Sequence, residues 1–199
     1  MVVFIVAPKN SGLKNYKNIA LTYLSDVENI LEVRGEDVPF WVEKTLEKGK
    51  KALGLTGEDL FKEYILEQRS DLRIIKRIAW NDAKTLYGKP ALCLIGPEDK
   101  RLDILPKQLT IGIPKKYKKI AKKYLNFLER KGFSFRKMYL GGSVEATCLH
   151  GITDLVIDIV YSGRTMKENG LTVYEKIMTS DFVIIGGKND TNLQTKRNE

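Results

Sequence analysis

The chain has little of what several function classes require. Its 199 residues include one histidine, His150, and two cysteines, Cys93 and Cys148. The cysteines lack metal-ligand spacing, no secretory context surrounds them, and a disulfide framework is therefore excluded. Cys148 has no evident partner base and reads as a small core residue. His150, alone near the end of a short helix, reads as structural or solvent-facing. Long hydrophobic runs are missing too. The first apolar stretch, Val2–Ala7, is too short for a membrane span and no small-residue cleavage pattern follows it. The expectation is a cytoplasmic protein with no membrane partner, no internal repeat and no low-complexity linker.

What is present is an ordinary globular composition, 43% hydrophobic and 9% aromatic, enough for one large domain or two small lobes. The net charge of +9 comes mostly from lysine, dense at Lys48–Lys51 and Lys115–Lys123. Neither cluster is interleaved with the aromatics that a single-strand binder uses. They read as solvated helix faces, so nucleic acid is disfavoured as a partner. The positive field suits polyanionic small molecules such as nucleotides.

Strands and helices alternate along the chain. Val2–Ala7 reads as a central strand, followed by the loop Pro8-Lys9-Asn10-Ser11-Gly12 and a helix over about Leu13–Glu28. Ile30–Arg34 is a second strand. A helix N-capped by Asp37 runs from near Pro39 to Gly49. Ala52–Leu55 leads through Thr56-Gly57 into a helix ending about Gln68. Further strands are expected at Leu72–Trp80, Ala91–Ile95, Leu109–Ile113 and Ser134–Leu140. An amphipathic helix is expected over Lys115–Lys131 and a short one over Val144–His150. Thr172–Met178 reads as continuing into a final strand, Asp181–Ile185, and Lys188–Glu199 as a loose tail. This alternation predicts an α/β fold with mostly parallel sheets, whose ligand sits at the carboxyl ends of strands.

One stretch organises the rest. Asp154–Leu171 reads DLVIDIVYSGRTMKENGL: a buried strand interrupted by Asp158, a tight Ser162-Gly163-Arg164-Thr165 loop, then helical composition. Such a strand–loop–helix unit aims backbone N–H groups at an anion. The acid at the strand end can hold ribose hydroxyls or a metal, which points to a ribose-phosphate site. Loops at Lys9, Thr56-Gly57 and Ser143 also follow strands and are further anion-site candidates.

Gly142-Ser143-Val144-Glu145, then Gly151-Ile152-Thr153-Asp154, then Asp158 through Leu171 resemble the ATP phosphoribosyltransferase family, the first enzyme of histidine biosynthesis. Ala7-Pro8-Lys9, Arg34 through Pro39 and Leu53 through Asp59 agree with earlier family segments in order. The resemblance implies two lobes like those of type II periplasmic binding proteins, with a cleft between them. Residues 1–94 plus 173–199 would form lobe one, and 95–172 lobe two with the phosphoribosyl loop.

It implies condensation of ATP with 5-phosphoribosyl 1-pyrophosphate, assisted by Mg²⁺, to N1-(5-phosphoribosyl)-ATP and pyrophosphate. Asp154, Asp158, Ser162, Gly163, Arg164 and Thr165 match the phosphoribosyl subsite, Asp158 also facing Mg²⁺ carried by the substrate. Lys9 and Arg34, with Asp158, are the catalytic candidates. Lys9, Thr56, Gly57, Ser143 and Glu145 would line the cleft on the ATP side. A homodimer and a histidyl-tRNA-synthetase-like regulatory subunit are the implied partners, as for short-form members.

The departures gather on the ATP side. The family's arginine soon after its Pro-Lys-Gly is missing from Lys9-Asn10-Ser11-Gly12-Leu13, the Arg34–Pro39 element is stretched, and Gly112-Ile113-Pro114-Lys115 replaces an Ala-Thr-Lys. Those changes raise the alternative of a diverged, non-catalytic paralogue that binds a phosphorylated ligand.

Overall fold

The structure, a computed structural model, describes residues 3–24 and 27–188. The chain forms two compact units, residues 1–79 with 181–199, and residues 80–180.

The first unit begins with β1 (Val3–Pro8), whose Val3, Ile5, Val6 and Ala7 are all buried, as a strand covered on both faces requires. It continues through α1 (Lys14–Thr22), β2 (Val27–Val33), α2 (Val38–Glu47), β3 (Ala52–Gly57), α3 (Glu58–Glu67) and β4 (Arg73–Ile78). The helix expected to reach Glu28 stops at Thr22, where Tyr23 and Leu24 N–H groups turn onto Ala20 and Leu21 carbonyls. Val27 then belongs to β2, paired with Val3 of β1. Asp37 stands at the α2 N-cap as expected, but its side chain makes no capping hydrogen bond. Pro39, in the first turn, supplies the start signal instead.

The second unit carries β5 (Ala91–Pro97), β6 (Gln108–Pro114), α4 (Lys118–Glu129), β7 (Ser134–Leu140), α5 (Val144–Leu149), β8 (Leu155–Val160), α6 (Arg164–Glu168) and β9 (Leu171–Thr179). The chain then returns to the first unit as β10 (Phe182–Gly186). What reads in sequence as one continued strand is therefore two, in different sheets. The seams expected at 94/95 and 172/173 fall inside β5 and β9, which pair with each other in the second sheet. The divisions lie at 79/80 and 180/181.

The sheet orders are β2-β1-β3-β10-β4 and β7-β6-β8-β5-β9. Both are mixed in the same way: four strands run one way, and the fourth in order, β10 or β5, runs against its two neighbours. Each reversed strand is central and apolar. Ala91 to Ile95 and Phe182 to Ile185 are at most 1% exposed. Gly54 on β3 lets α2 sit close, since a β-carbon there would lie 2.7–2.8 Å from Val38, Val42 and Ile185. No helix among the described residues is long and apolar enough to cross a membrane. The tail expected over 188–199 lies, beyond Lys188, outside the described residues.

Candidate functional site

The carboxyl edge of β8 builds one site within the second unit. Leu155, Val156 and Ile157 are fully buried, and the strand then presents Asp158, half-buried. The Ile159 N–H donates to Asp158 Oδ1 at 2.8 Å. Burial pushes the Asp158 carboxyl above its ordinary value, partly opposed by that N–H and by the charge of Lys116. Glu145, in the first turn of α5, is also raised, first by burial and then by the negative charge of Asp158. Two carboxylates that repel each other in a partly dry site favour a bound cation or a donor-rich ligand.

Past Val160 the chain forms the loop Tyr161-Ser162-Gly163 and enters α6. Gly163 is buried and left-handed, φ +72°, and a β-carbon there would meet Leu86 at 3.4 Å. The Ser162 hydroxyl accepts the Arg164 N–H at 3.3 Å, and Arg164 and Thr165 are exposed beside it. Glu145, Asp158 and residues 159–166 enclose a cleft of about 260 Å³. That volume suits a sugar phosphate better than a whole dinucleotide. Hollows of about 910 Å³ beside Glu43–Glu47 and about 760 Å³ beside Lys100–Lys107 gather none of the predicted residues, and one of about 390 Å³ in the first unit is lined by Lys9.

The other predicted residues fall in two sets. Ser143, at the α5 N-cap, lies in the second unit near Glu145, but its backbone is left-handed and its hydroxyl makes no cap bond. Lys9, Arg34 and Thr56-Gly57 follow or end β1, β2 and β3, adjacent strands of the first unit, so one sheet edge gathers them. The Lys9 N–H donates to the Val33 carbonyl at 2.8 Å. Asn10 Oδ1 accepts the Gly12 N–H at 2.9 Å, so the altered Lys9–Leu13 loop is an ordered Asx turn. Thr56 is fully buried, its hydroxyl donating to the Gly35 carbonyl at 3.0 Å.

Asp154 is not brought to the loop. It precedes β8, at the far end of the strand from Ser162, and its carboxylate accepts the Thr110 N–H at 2.6 Å while its own N–H donates to the Thr110 carbonyl. It pins β8 to β6. His150 is exposed at the end of α5, and Cys148 is buried with its thiol pushed up by burial.

Sequence reasoning missed Lys116, Asp82, Leu86 and Tyr161. Lys116 was hidden in a lysine run, and distinguishing it needs the fold. Asn81–Lys84 carries an Asx-turn composition, the one signal that the connection after β4 is ordered.

Comparison with known proteins bears on this geometry. The family model described as HisG: ATP phosphoribosyltransferase matches residues 34–199. The ATP phosphoribosyltransferase of Caldicellulosiruptor bescii is 33% identical over 176 residues, 87% of this chain and 76% of that protein. The enzyme of the same name from Caldanaerobacter subterraneus is 30% identical over 203 residues, 97% and 85% of the two chains. Among solved structures, a chain of the ATP phosphoribosyl transferase (HisG:HisZ) complex from Thermotoga maritima superposes with a TM-score of 0.70 at 24% identity, covering 96% of this chain and 89% of that one. The periplasmic aliphatic sulphonate binding protein SsuA of Escherichia coli reaches 0.59 at 16% identity, covering 94% of this chain and 66% of that one. This second likeness concerns the fold alone.

Proposed function

Because the chain belongs to the ATP phosphoribosyltransferase family, we propose that it condenses ATP with 5-phosphoribosyl 1-pyrophosphate, the first step of histidine biosynthesis. The observation that carries the reading to particular atoms is the β8 edge, where Asp158, Glu145 and the Ser162–Thr165 loop share one cleft.

In the reaction, N1 of ATP attacks the anomeric carbon, a carbon–nitrogen bond forms, and the carbon–oxygen bond to pyrophosphate breaks with its electron pair leaving on the pyrophosphate. The protein's task is mainly positioning and electrostatics. The Ser162–Thr165 loop takes the 5-phosphate through backbone N–H groups and the Thr165 hydroxyl, with Arg164 adding charge. Asp158 faces the ribose, where its carboxylate orients the hydroxyls and stabilises positive charge developing on the ring. Lys9 and Arg34, on one sheet edge of the first unit, are the cations of that unit suited to polyphosphate. Thr56 acts through its hold on Gly35, beside Arg34. Asp154, whose carboxylate accepts the Thr110 N–H at the other end of β8, is left out of the proposed site.

The donor set fits a substrate-borne Mg²⁺. Among the described residues no cluster of three or more metal-ligating side chains occurs. Mg²⁺ commonly takes one or two carboxylates and completes its shell with water and substrate phosphates, and Asp158 with Glu145 supplies that number. When bound there, the ion would neutralise charge on the departing pyrophosphate. A regulatory partner of the kind named in the Thermotoga complex, and a homodimer, complete the proposal.

Incubation with ATP, Mg²⁺ and 5-phosphoribosyl 1-pyrophosphate, with and without that partner, should release pyrophosphate. Ligand binding with no release in either case would leave a non-catalytic paralogue. Thr165→Ala, which removes one hydroxyl donor to a charged group, should weaken phosphoribosyl pyrophosphate binding roughly tenfold or more by calorimetry. Unchanged affinity there and in Asp158→Ala would remove the site.

A further inference from the structure

The connection after β4 does more than join two strands. Tyr161, the first residue past β8, is held at both its backbone and its ring. Its carbonyl accepts the Leu86 N–H at 2.8 Å, and its hydroxyl donates to Asp82 Oδ2. Its ring stands edge-on to Trp80, with centroids 6.0 Å apart. A β-carbon on buried Gly163, two residues further along the loop, would meet Leu86 at 3.4 Å.

Asp82 is itself anchored. Its carboxylate accepts the Lys84 N–H at 2.8 Å, and its carbonyl accepts the Thr85 N–H at 3.0 Å and the Thr85 hydroxyl at 2.7 Å. The Asp82 N–H donates to the Gly88 carbonyl at 3.2 Å, closing the turn. Thr85 is 8% exposed, so the turn has a buried root.

A carboxylate next to an anion-binding loop repels the ligand by charge alone. Its presence needs a different reason, and its partners provide one. We propose that residues 80–88 form a brace that sets the Ser162–Thr165 loop for its phosphate, with Asp82 and Tyr161 as positioning residues. This rests on the phosphoribosyl reading of that loop. Backbone N–H groups recognise a phosphate only when several point at one spot, and a loop pivoting on a left-handed glycine does not hold that geometry unaided. The brace ties Tyr161, two residues before the pivot, to a turn that is closed by its own hydrogen bonds. The Tyr161 hydroxyl, first, and the Lys84 N–H hold the Asp82 carboxyl below its ordinary value.

The test uses the full chain with Asp82→Ala, Asp82→Asn and Tyr161→Phe. Calorimetry with ribose 5-phosphate on the unsubstituted protein comes first. No binding there removes the phosphoribosyl reading itself, and the inference with it. Given binding, Asp82→Ala and Tyr161→Phe should each raise KM for phosphoribosyl pyrophosphate roughly 3- to 10-fold while KM for ATP stays put. Amide exchange should quicken at Ser162–Thr165 with Tm unchanged. Asp82→Asn, with one acceptor oxygen for two donors, should fall between. The double variant Asp82→Ala/Tyr161→Phe should be no worse than Asp82→Ala alone, because that single change already removes the Tyr161 contact. Unchanged phosphoribosyl pyrophosphate KM and loop exchange would overturn the brace, as would equal rises in both KM values with a general fall in Tm.

Discussion

Asp158 and Glu145 are raised by burial, and that has opposite consequences for stability and for binding. The folded chain takes up these protons at a pH where an unfolded chain would still leave both groups charged. Their destabilising contribution is therefore complete above the folded pKa and fades as pH falls through it. Affinity for a cation-bearing substrate runs the other way and falls with protonation, starting above the usual carboxylate range. KM for phosphoribosyl pyrophosphate should rise on acidification, and Asp158→Asn should flatten that rise at uniformly weak affinity. The same variant should melt higher than the parent at neutral pH, since Asn keeps an oxygen for the Ile159 N–H and sheds a disfavoured charge. Gly163→Ala should cost about 1–2 kcal/mol, read from denaturant titration, for placing a side chain at φ +72° against Leu86. Of these residues, Asp158 and Gly163 were legible because an acid inside an apolar run and a glycine after it break a pattern. Lys116, Asp82 and Tyr161 were not, because their importance lies in what they face. Asp154, matched to the same subsite by the family pattern, stands at the other end of the strand with its carboxylate on the Thr110 N–H.

Elements of the fold were legible where periodicity was strong and failed at their ends. The apolar runs of β1, β5, β8 and β10 announced buried strands, and α4 showed Ile120 and Leu128 inward against outward lysines, although Phe127, which the same periodicity turns inward with Tyr124, is exposed and Leu125 is buried in its stead. The α1–β2 boundary slipped because Leu24 and Val27 suit a helix face or a strand equally well, and only pairing of Val27 with Val3 decides. Direction was invisible too: nothing local to β5 or β10 says that each runs against its neighbours. One packing detail gives a sharp test. In β3, Gly54 lies where Val38 and Val42 of α2 and Ile185 of β10 leave no room. Gly54→Ala should destabilise by about 1–3 kcal/mol, measured as a lower denaturant midpoint at unchanged slope, through overpacking.

The whole molecule is two units, each with its own apolar centre, and the chain crosses between them twice. Two lobes were legible from the family resemblance, but their seams were not, because β5 and β9 look in sequence like strands of either sheet. The sheet order makes an unequal demand on the units. All five strands of the second sheet lie within residues 91–179, whereas the first sheet needs β10 between β3 and β4. Ending the chain at Ser180 should therefore abolish amide-exchange protection in β1, β3 and β4 while β5, β6 and β8 keep theirs. Equal loss in both sets would mean that the units fold only together.

That interleaving also imposes an order on synthesis. A ribosome delivers β1 first and β10 late, so the unit begun first cannot close its sheet until the other has been made in full. The usual sequence, in which the amino-terminal domain folds while the rest is still being translated, is reversed here. Until β10 arrives, β3 and β4 keep open edges, which are templates for pairing with another chain.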